Sequence, residues 1–223
     1  MNNQKENICR GILVAVVLLG GAFSTLASVV NYSWTTGFAN TGIVPDNDLN
    51  GWQDTRTISD FSSGSQILDL NVTLNLSGGF NGDLFGTLVH DSGFVVLLNR
   101  VGSSVINPAG FSNPGMNVVL DQSASENIHL VAVPVTGGSY QPDNTWSPAT
   151  SLTTFNGLDP NGSWTLFLQD VSFGNQSQVL GWGLEISAVP EPVTMALGTF
   201  GVLFGGIALS RVFFRKPRFI TQE

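Results

Sequence analysis

Gln66-Ile67-Leu68-Asp69-Leu70-Asn71-Val72-Thr73-Leu74-Asn75-Leu76 alternates apolar and polar side chains along its length. Leu68, Leu70, Val72, Leu74 and Leu76 fall on one side; Asp69, Asn71, Thr73 and Asn75 fall on the other. Successive side chains of a β-strand point to opposite faces, so this period of two predicts a strand with one face buried. The pattern returns in Ser163 to Asp170, with Trp164, Leu166 and Leu168 against Thr165 and Gln169. It returns again in Gln178 to Ser187, where Leu180, Trp182, Leu184 and Ile186 are expected inward. Leu84 to Val89, Phe94 to Leu98, Asn117 to Leu120 and Ile128 to Val133 are β-branched or aliphatic and read as further strands.

Turn-forming residues separate these runs: Ser77-Gly78-Gly79, Asn81-Gly82-Asp83, Asp91-Ser92-Gly93 and Asn161-Gly162. No part of this middle region carries the 3.6 period of an amphipathic helix. Many short strands, abundant Gly, Asn and Ser, and no helical pattern predict an all-β, antiparallel β-sandwich or jelly roll. The stretch Pro134 to Gly162, with Pro142, Pro148 and Pro160, reads as a long surface connection.

Both ends of the chain differ from the middle. Lys5 and Arg10 precede an apolar run from Ile12 to Leu19, and the small residues Ser24-Thr25-Leu26-Ala27-Ser28 follow. That order predicts a secretion signal helix cut by signal peptidase after Ala27; the alternative is an uncleaved anchor. At the other end, Val193 to Ser210 holds no charge and would span about 27 Å as a helix, close to the thickness of a bilayer core. Arg211, Arg215, Lys216 and Arg218 follow at once, as they do where a transmembrane helix stops on the cytoplasmic side. A buried core helix would not suit the glycines and the basic flank. The expected organisation is a signal peptide at 1–27, a linker at 28–42, the β-domain at 43–187 and a membrane tail at 188–223.

These ends hide the charge of the middle. The whole 223-residue chain has a formal net charge of −8. Between Ser28 and Pro190, however, thirteen acids face only Arg56 and Arg100, which leaves the domain near −11. Such a surface repels nucleic acid and anionic lipid, so no nucleic-acid partner is expected. It suits divalent cations or basic partners, and equally plain solubility. Cys9, the one cysteine, precedes the apolar run, so the mature domain has no disulfide, no thiol nucleophile and no thiolate metal site.

Five motifs occur in order: Ile43-Val44-Pro45-Asp46-Asn47, Leu70 to Leu76, Phe80-Asn81-Gly82-Asp83-Leu84, Phe155 to Leu166, and Gly181-Trp182-Gly183-Leu184-Glu185-Ile186. Together they resemble the P domain (Homo B domain), the jelly-roll module that follows the catalytic domain of furin- and kexin-type proprotein convertases. The tail is similar to a second family. Val189-Pro190-Glu191-Pro192, an apolar span and a basic cluster resemble PEP-CTERM sorting signals. That resemblance implies export across the inner membrane of a Gram-negative bacterium and processing by an exosortase near Pro190, Glu191 and Pro192. It also implies delivery to the cell surface or to an extracellular polysaccharide matrix. The P-domain resemblance implies an accessory role to a subtilase, a subtilisin-like protease.

Catalytic chemistry is harder to place. A serine nucleophile needs a histidine base oriented by a carboxylate, and the chain has only His90 and His129. His90-Asp91-Ser92-Gly93 sits between two strand-like runs and reads as a hairpin turn, so the expectation is no enzyme. Asp46, Asp48, Asp83, Asp121, Asp159 and Asp170 lie at expected strand ends, where oxygen ligands for calcium are found. Turn capping through side-chain-to-backbone hydrogen bonds is the competing reading of each. Trp52 and Trp146, with Trp34, are candidates for stacking on glycans, against partial burial; Trp164 and Trp182 belong to the core. The expected function is a non-catalytic structural or interaction module, the alternatives being a protease accessory or a calcium- or glycan-binding surface.

Overall fold

A computed structural model of the chain describes residues 27–190 except 92, 135, 147 and 149. The expected signal helix, the Pro190-Glu191-Pro192 motif beyond its first residue, and the membrane span therefore lie outside the described residues. Within them no helix is long and apolar enough to cross a membrane.

The strands are β1 (Ser28–Trp34), β2 (Trp52–Ile58), β3 (Gln66–Gly78), β4 (Leu84–His90) and β5 (Gly93–Asn99). β6 (Met116–Leu120), β7 (Gly138–Tyr140), β8 (Gly162–Asp170) and β9 (Ser177–Val189) complete them. They form a five-stranded sheet in the order β1-β9-β3-β6-β7 and a four-stranded sheet in the order β2-β8-β4-β5. Every ladder is antiparallel except β6 with β7. The two sheets enclose one apolar core, to which Leu70, Val72, Leu74 and Trp182 come from one side and Leu88, Trp164, Leu166 and Leu168 from the other. Each such side chain contributes roughly 1.5–3 kcal/mol by leaving water.

Alternation predicted most of this core and erred at two register shifts. Leu68 is 47% exposed while Ile67 is buried, because a bulge lies between Ile67 and Asp69 in the β3–β9 ladder. Leu180 is 43% exposed while Val179 is buried, beside the shift between Asn75 and Leu76 in the same ladder. A bulge adds one residue to one strand and inverts the parity of everything beyond it.

Three longer readings also change. Residues 28–42, expected as linker, contain β1, which pairs with β9 from Ser28↔Ala188 to Trp34↔Trp182. Ile128 to Val133 is not a strand. Ile128–Leu130 is a 3-10 turn capped by Asn127, whose side chain accepts the His129 N–H, and Leu130 and Val133 face solvent. The connection from Pro134 to Gly162 is only partly a surface excursion: it supplies β7, and its turn Leu152–Phe155 drives Leu152 and Phe155 into the core.

The connectivity gives the sandwich two unlike poles. Ser28 lies opposite Ala188, and Gln66 opposite Val189, so both flanking segments leave from one pole. The loops 79–83, 100–115 and 171–176, with the approach to β2 from Ile43, gather at the other.

Candidate functional site

Four of the six candidate aspartates lie at the far pole, and three of them, Asp46, Asp83 and Asp170, are linked there. Asp170 ends β8 opposite Leu84, the first residue of β4, and Asp83 immediately precedes Leu84. The Val171 N–H donates to Asp83 O at 2.8 Å, which ties the two loops together. Asp46 joins them from the first motif, both its oxygens accepting the Gly174 N–H at 2.9 and 3.0 Å. Gly82 lets the loops close: a Cβ there would collide with the backbone of Ala109 to Phe111. The Gly82 N–H donates to Phe111 O, and Arg100 Nε donates to Gly82 O.

Burial dominates the electrostatics of this group. Asp170 has no exposed surface and Asp83 almost none. Burial pushes the Asp170 carboxyl up to about 6; the Ser172 N–H opposes this, and the charges of Asp83 and Asp46 reinforce it. Burial likewise raises Asp83, offset by Arg100 and by a Ser172 hydrogen bond, with Asp46 adding to the rise. Ser172 N–H reaches Asp170 Oδ1 at 3.2 Å, yet Asp170 Oδ2 is buried without a hydrogen-bond partner, as is Oδ1 of Asn81 in the adjoining loop. A buried carboxylate oxygen left unpaired costs free energy unless it is protonated or meets a cation. As placed, no three Asp, Glu, His or Cys among the described residues are close enough to hold a metal together. The unpartnered Oδ2 of Asp170 and Oδ1 of Asn81 are hard oxygen donors, the type calcium takes, but the three carboxylates are not placed as a ligand set.

The other three candidates cap turns. Asp48 Oδ1 accepts the backbone and side-chain N–H of Asn50. Asp121 Oδ1 accepts Ser123 N–H and Oγ–H, each at 2.7 Å. Asp159 Oδ1 accepts the backbone and side-chain N–H of Asn161. Asp159 precedes β8 at the opposite pole, and Asp121 follows β6 in the other sheet, next to Leu120, which pairs with Val72 at the middle of β3.

Trp52 is not a platform for a sugar. It is 3% exposed, donates its indole N–H to Ala39 O and meets Phe38 edge-on. Trp146 does reach solvent, at 40% exposure, and leans over Phe85 with ring centroids 5.2 Å apart. Trp34 is half-buried between Tyr32 and Trp182, with the Arg56 guanidinium 5.8 Å from its ring.

Both histidines have both ring nitrogens engaged. His90 stacks on Trp164 with centroids 3.8 Å apart, and its ring nitrogens face Ser163 O and Asp159 O. His129 Nδ1 meets Asp143 Oδ2 at 2.6 Å, and Nε2 meets the Ser103 carbonyl, not its hydroxyl. The turn at Asp91 joins β4 to β5, as expected for a hairpin.

Two buried acids escaped the sequence reading. Asp54 accepts the Trp182 indole N–H and the Arg56 Nε–H, both at 2.7 Å. Asp143 holds His129, the Asn99 N–H, and both N–H and Oγ–H of Thr145. Asp54 had a signal, since it shares the inward parity of Trp52 and Ile58. Asp143 had none, because it lies in an irregular connection. A groove of about 420 Å³ beside Leu76, Pro114 and Val133 is lined by no titratable side chain.

No family model matches this chain, and no curated protein does. The solved structures similar to it include two of a serine protease. The crystal structure of Aeromonas sobria serine protease in complex with the chaperone ORF2 contains a chain 14% identical, with a TM-score of 0.43. That match covers 74% of this chain and 28% of the other. The crystal structure of the A. sobria serine protease gives 12% identity and a TM-score of 0.42, over 73% of this chain and 27% of that one. This chain thus spans little more than a quarter of the length of either.

Proposed function

We propose that this protein is an exported, non-catalytic β-sandwich module, P-domain-like and of jelly-roll type, that presents a calcium-responsive loop pole. The observation that carries the proposal is the buried Asp170 carboxylate, with Oδ2 unpartnered, beside Asp83 and Asp46 at the pole opposite both flanking segments. A membrane tail following Val189 would leave that pole directed outward, toward a surface layer or matrix. Asp170, Asp83 and Asp46 would have to draw closer together to hold the cation; bound there, it would neutralise their repulsion and cross-link loops far apart in sequence.

The test is the thermal midpoint of the full-length protein, detergent-solubilised, in chelator and in millimolar calcium. Ligand at a hundredfold excess over Kd adds about 2.7 kcal/mol to a native state that alone binds it. A rise of several degrees supports the reading, and an unchanged midpoint removes it. A second reading, an accessory to a separate subtilase, draws on Asp46 and Asp83, which belong to two of the P-domain motifs and meet at one pole. Co-purification of a subtilase with the exported protein would favour it.

A further inference from the structure

The outer face of the four-stranded sheet differs from the rest of this acidic domain. Parity and register place Gln53, Thr55 and Thr57 of β2 on it, beside Thr165, Phe167 and Gln169 of β8. Phe85 and Val89 of β4 and Phe94 of β5 continue it, and Trp146 leans over Phe85 from the connection between β7 and β8. None of these side chains ionises. The acids of the same strands, Asp54 and Asp170, occupy the opposite parity and are buried. The outer face of the other sheet, by contrast, carries Asp69 and Glu185, the latter accepting a hydrogen bond from Asn71.

We propose that this uncharged face is a docking surface for a neutral polysaccharide. A sugar ring offers an apolar C–H face and a belt of neutral hydroxyls. Its complement is a partly exposed aromatic ring flanked by uncharged donors and acceptors. Phe85, Phe167 and Trp146 supply the rings. Gln53, Gln169 and the threonines supply the polar groups, with Thr55 and Thr165 hydroxyls already 2.8 Å apart. Three inter-strand spacings make the face about 14 Å wide, and a seven-residue strand makes it about 23 Å long, enough for an extended glycan.

Charge decides against the other occupants. A domain near −11 repels anionic lipid and nucleic acid, and it repels a second copy of itself brought face to face. A protein interface would also want an apolar centre, whereas threonine and glutamine occupy half of this face.

The test is co-sedimentation of the full-length protein, reconstituted in zwitterionic nanodiscs, with insoluble cellulose and chitin in excess chelator. Soluble hydroxyethyl cellulose serves as competitor and alginate as an anionic control. Retention by a neutral polymer is expected, weakened about ten-fold by Trp146→Ala or Thr55→Asp. Thr73→Glu, on the outer face of the other sheet, leaves retention unchanged. Equal melting midpoints for wild type and variants show that the fold is intact. The proposal is overturned by no retention on either polymer, by equal retention of all variants, or by retention on alginate alone. It is also overturned if the same variants abolish a concentration-dependent self-association or the capture of a protein partner. Chelator makes the assay independent of the loop pole, so failure of the calcium reading and failure of this one are distinguishable.

Discussion

Replacing Asp170 by asparagine tests the loop pole most directly, because wild type and variant differ by the one charge in question. Burial and the neighbouring Asp83 and Asp46 charges raise the Asp170 carboxyl from 3.8 to about 6. Two units correspond to about 3 kcal/mol. Between about pH 4 and 6 the folded protein binds the proton more tightly than the unfolded chain does, so stability falls as pH rises through that window. Above about pH 6 the whole cost is present; below about pH 4 it is gone. Asp170→Asn keeps an oxygen for the Ser172 N–H and removes the charge. In chelator at pH 7.5 the variant is therefore expected to be more stable than wild type, by up to about 3 kcal/mol. For a domain of this size that is a midpoint shift of roughly 6–12 °C. Scanning calorimetry from pH 4 to 8 should show the two proteins converging at the acid end. The variant should also lose the calcium response. A variant that melts below wild type at pH 7.5 in chelator, or a gap that does not change with pH, would refute the reasoning.

Asp54→Ala leaves the Trp182 indole N–H buried without its 2.7 Å acceptor and should cost about 1–3 kcal/mol in a urea titration. Arg56, only 23% exposed, loses its 2.7 Å carboxylate partner in the same substitution, which adds to the cost. Asp143→Ala strips partners from His129, Thr145 and the Asn99 amide at once. About 3–5 kcal/mol is expected, with faster hydrogen exchange at Asn99. Gly82→Ala pushes a methyl group into the Ala109–Phe111 backbone, and its signature is a lower midpoint with loss of the calcium-induced rise. Phe155→Ala empties a core position supplied by the irregular connection and should cost about 3–5 kcal/mol by chemical denaturation.

The two-sheet architecture was legible because period-two alternation is a direct consequence of pleating, and Leu70 to Leu76 and Trp164 to Leu168 obey it without interruption. It failed where a bulge changed the parity, at Leu68 and Leu180, since nothing local in Ile67-Leu68-Asp69 announces an extra residue in the ladder. Ile128 to Val133 has strand composition but becomes a turn. Asn127 caps it and the His129–Asp143 contact rotates it, and that contact joins residues too far apart for a window of sequence to see. Aspartates were the least legible group. Asp48 and Asp159 make the same local hydrogen bond, two residues ahead, that Asp170 makes to Ser172. What separates Asp170 from them is burial, at a strand end where Asp83, Leu84, Asp46 and the loop 171–176 gather.

The uncharged outer face shows how pairing turns a weak sequence signal into a strong one. In β2 alone, Gln53, Thr55 and Thr57 are three polar residues alternating with Trp52, Asp54 and Arg56, and their neutrality carries no message. Register sets Gln53 beside Phe167, Thr55 beside Thr165, and Val89 beside Thr165 on its other flank. Four strands then share one property that none of them reveals separately. In a domain of thirteen acids, an outward parity left neutral across four strands while Asp54 and Asp170 are held inward is a spatial arrangement of charge, and solubility alone gives no reason for it. Acids on that face would serve solubility equally well, and they would repel nothing that a neutral polysaccharide presents. They would, however, carry tightly held water that an aromatic platform has to shed before a sugar can stack on it. The prediction that Thr55→Asp weakens retention while Thr73→Glu does not is therefore a test of desolvation at one face, independent of the net charge that both substitutions change equally.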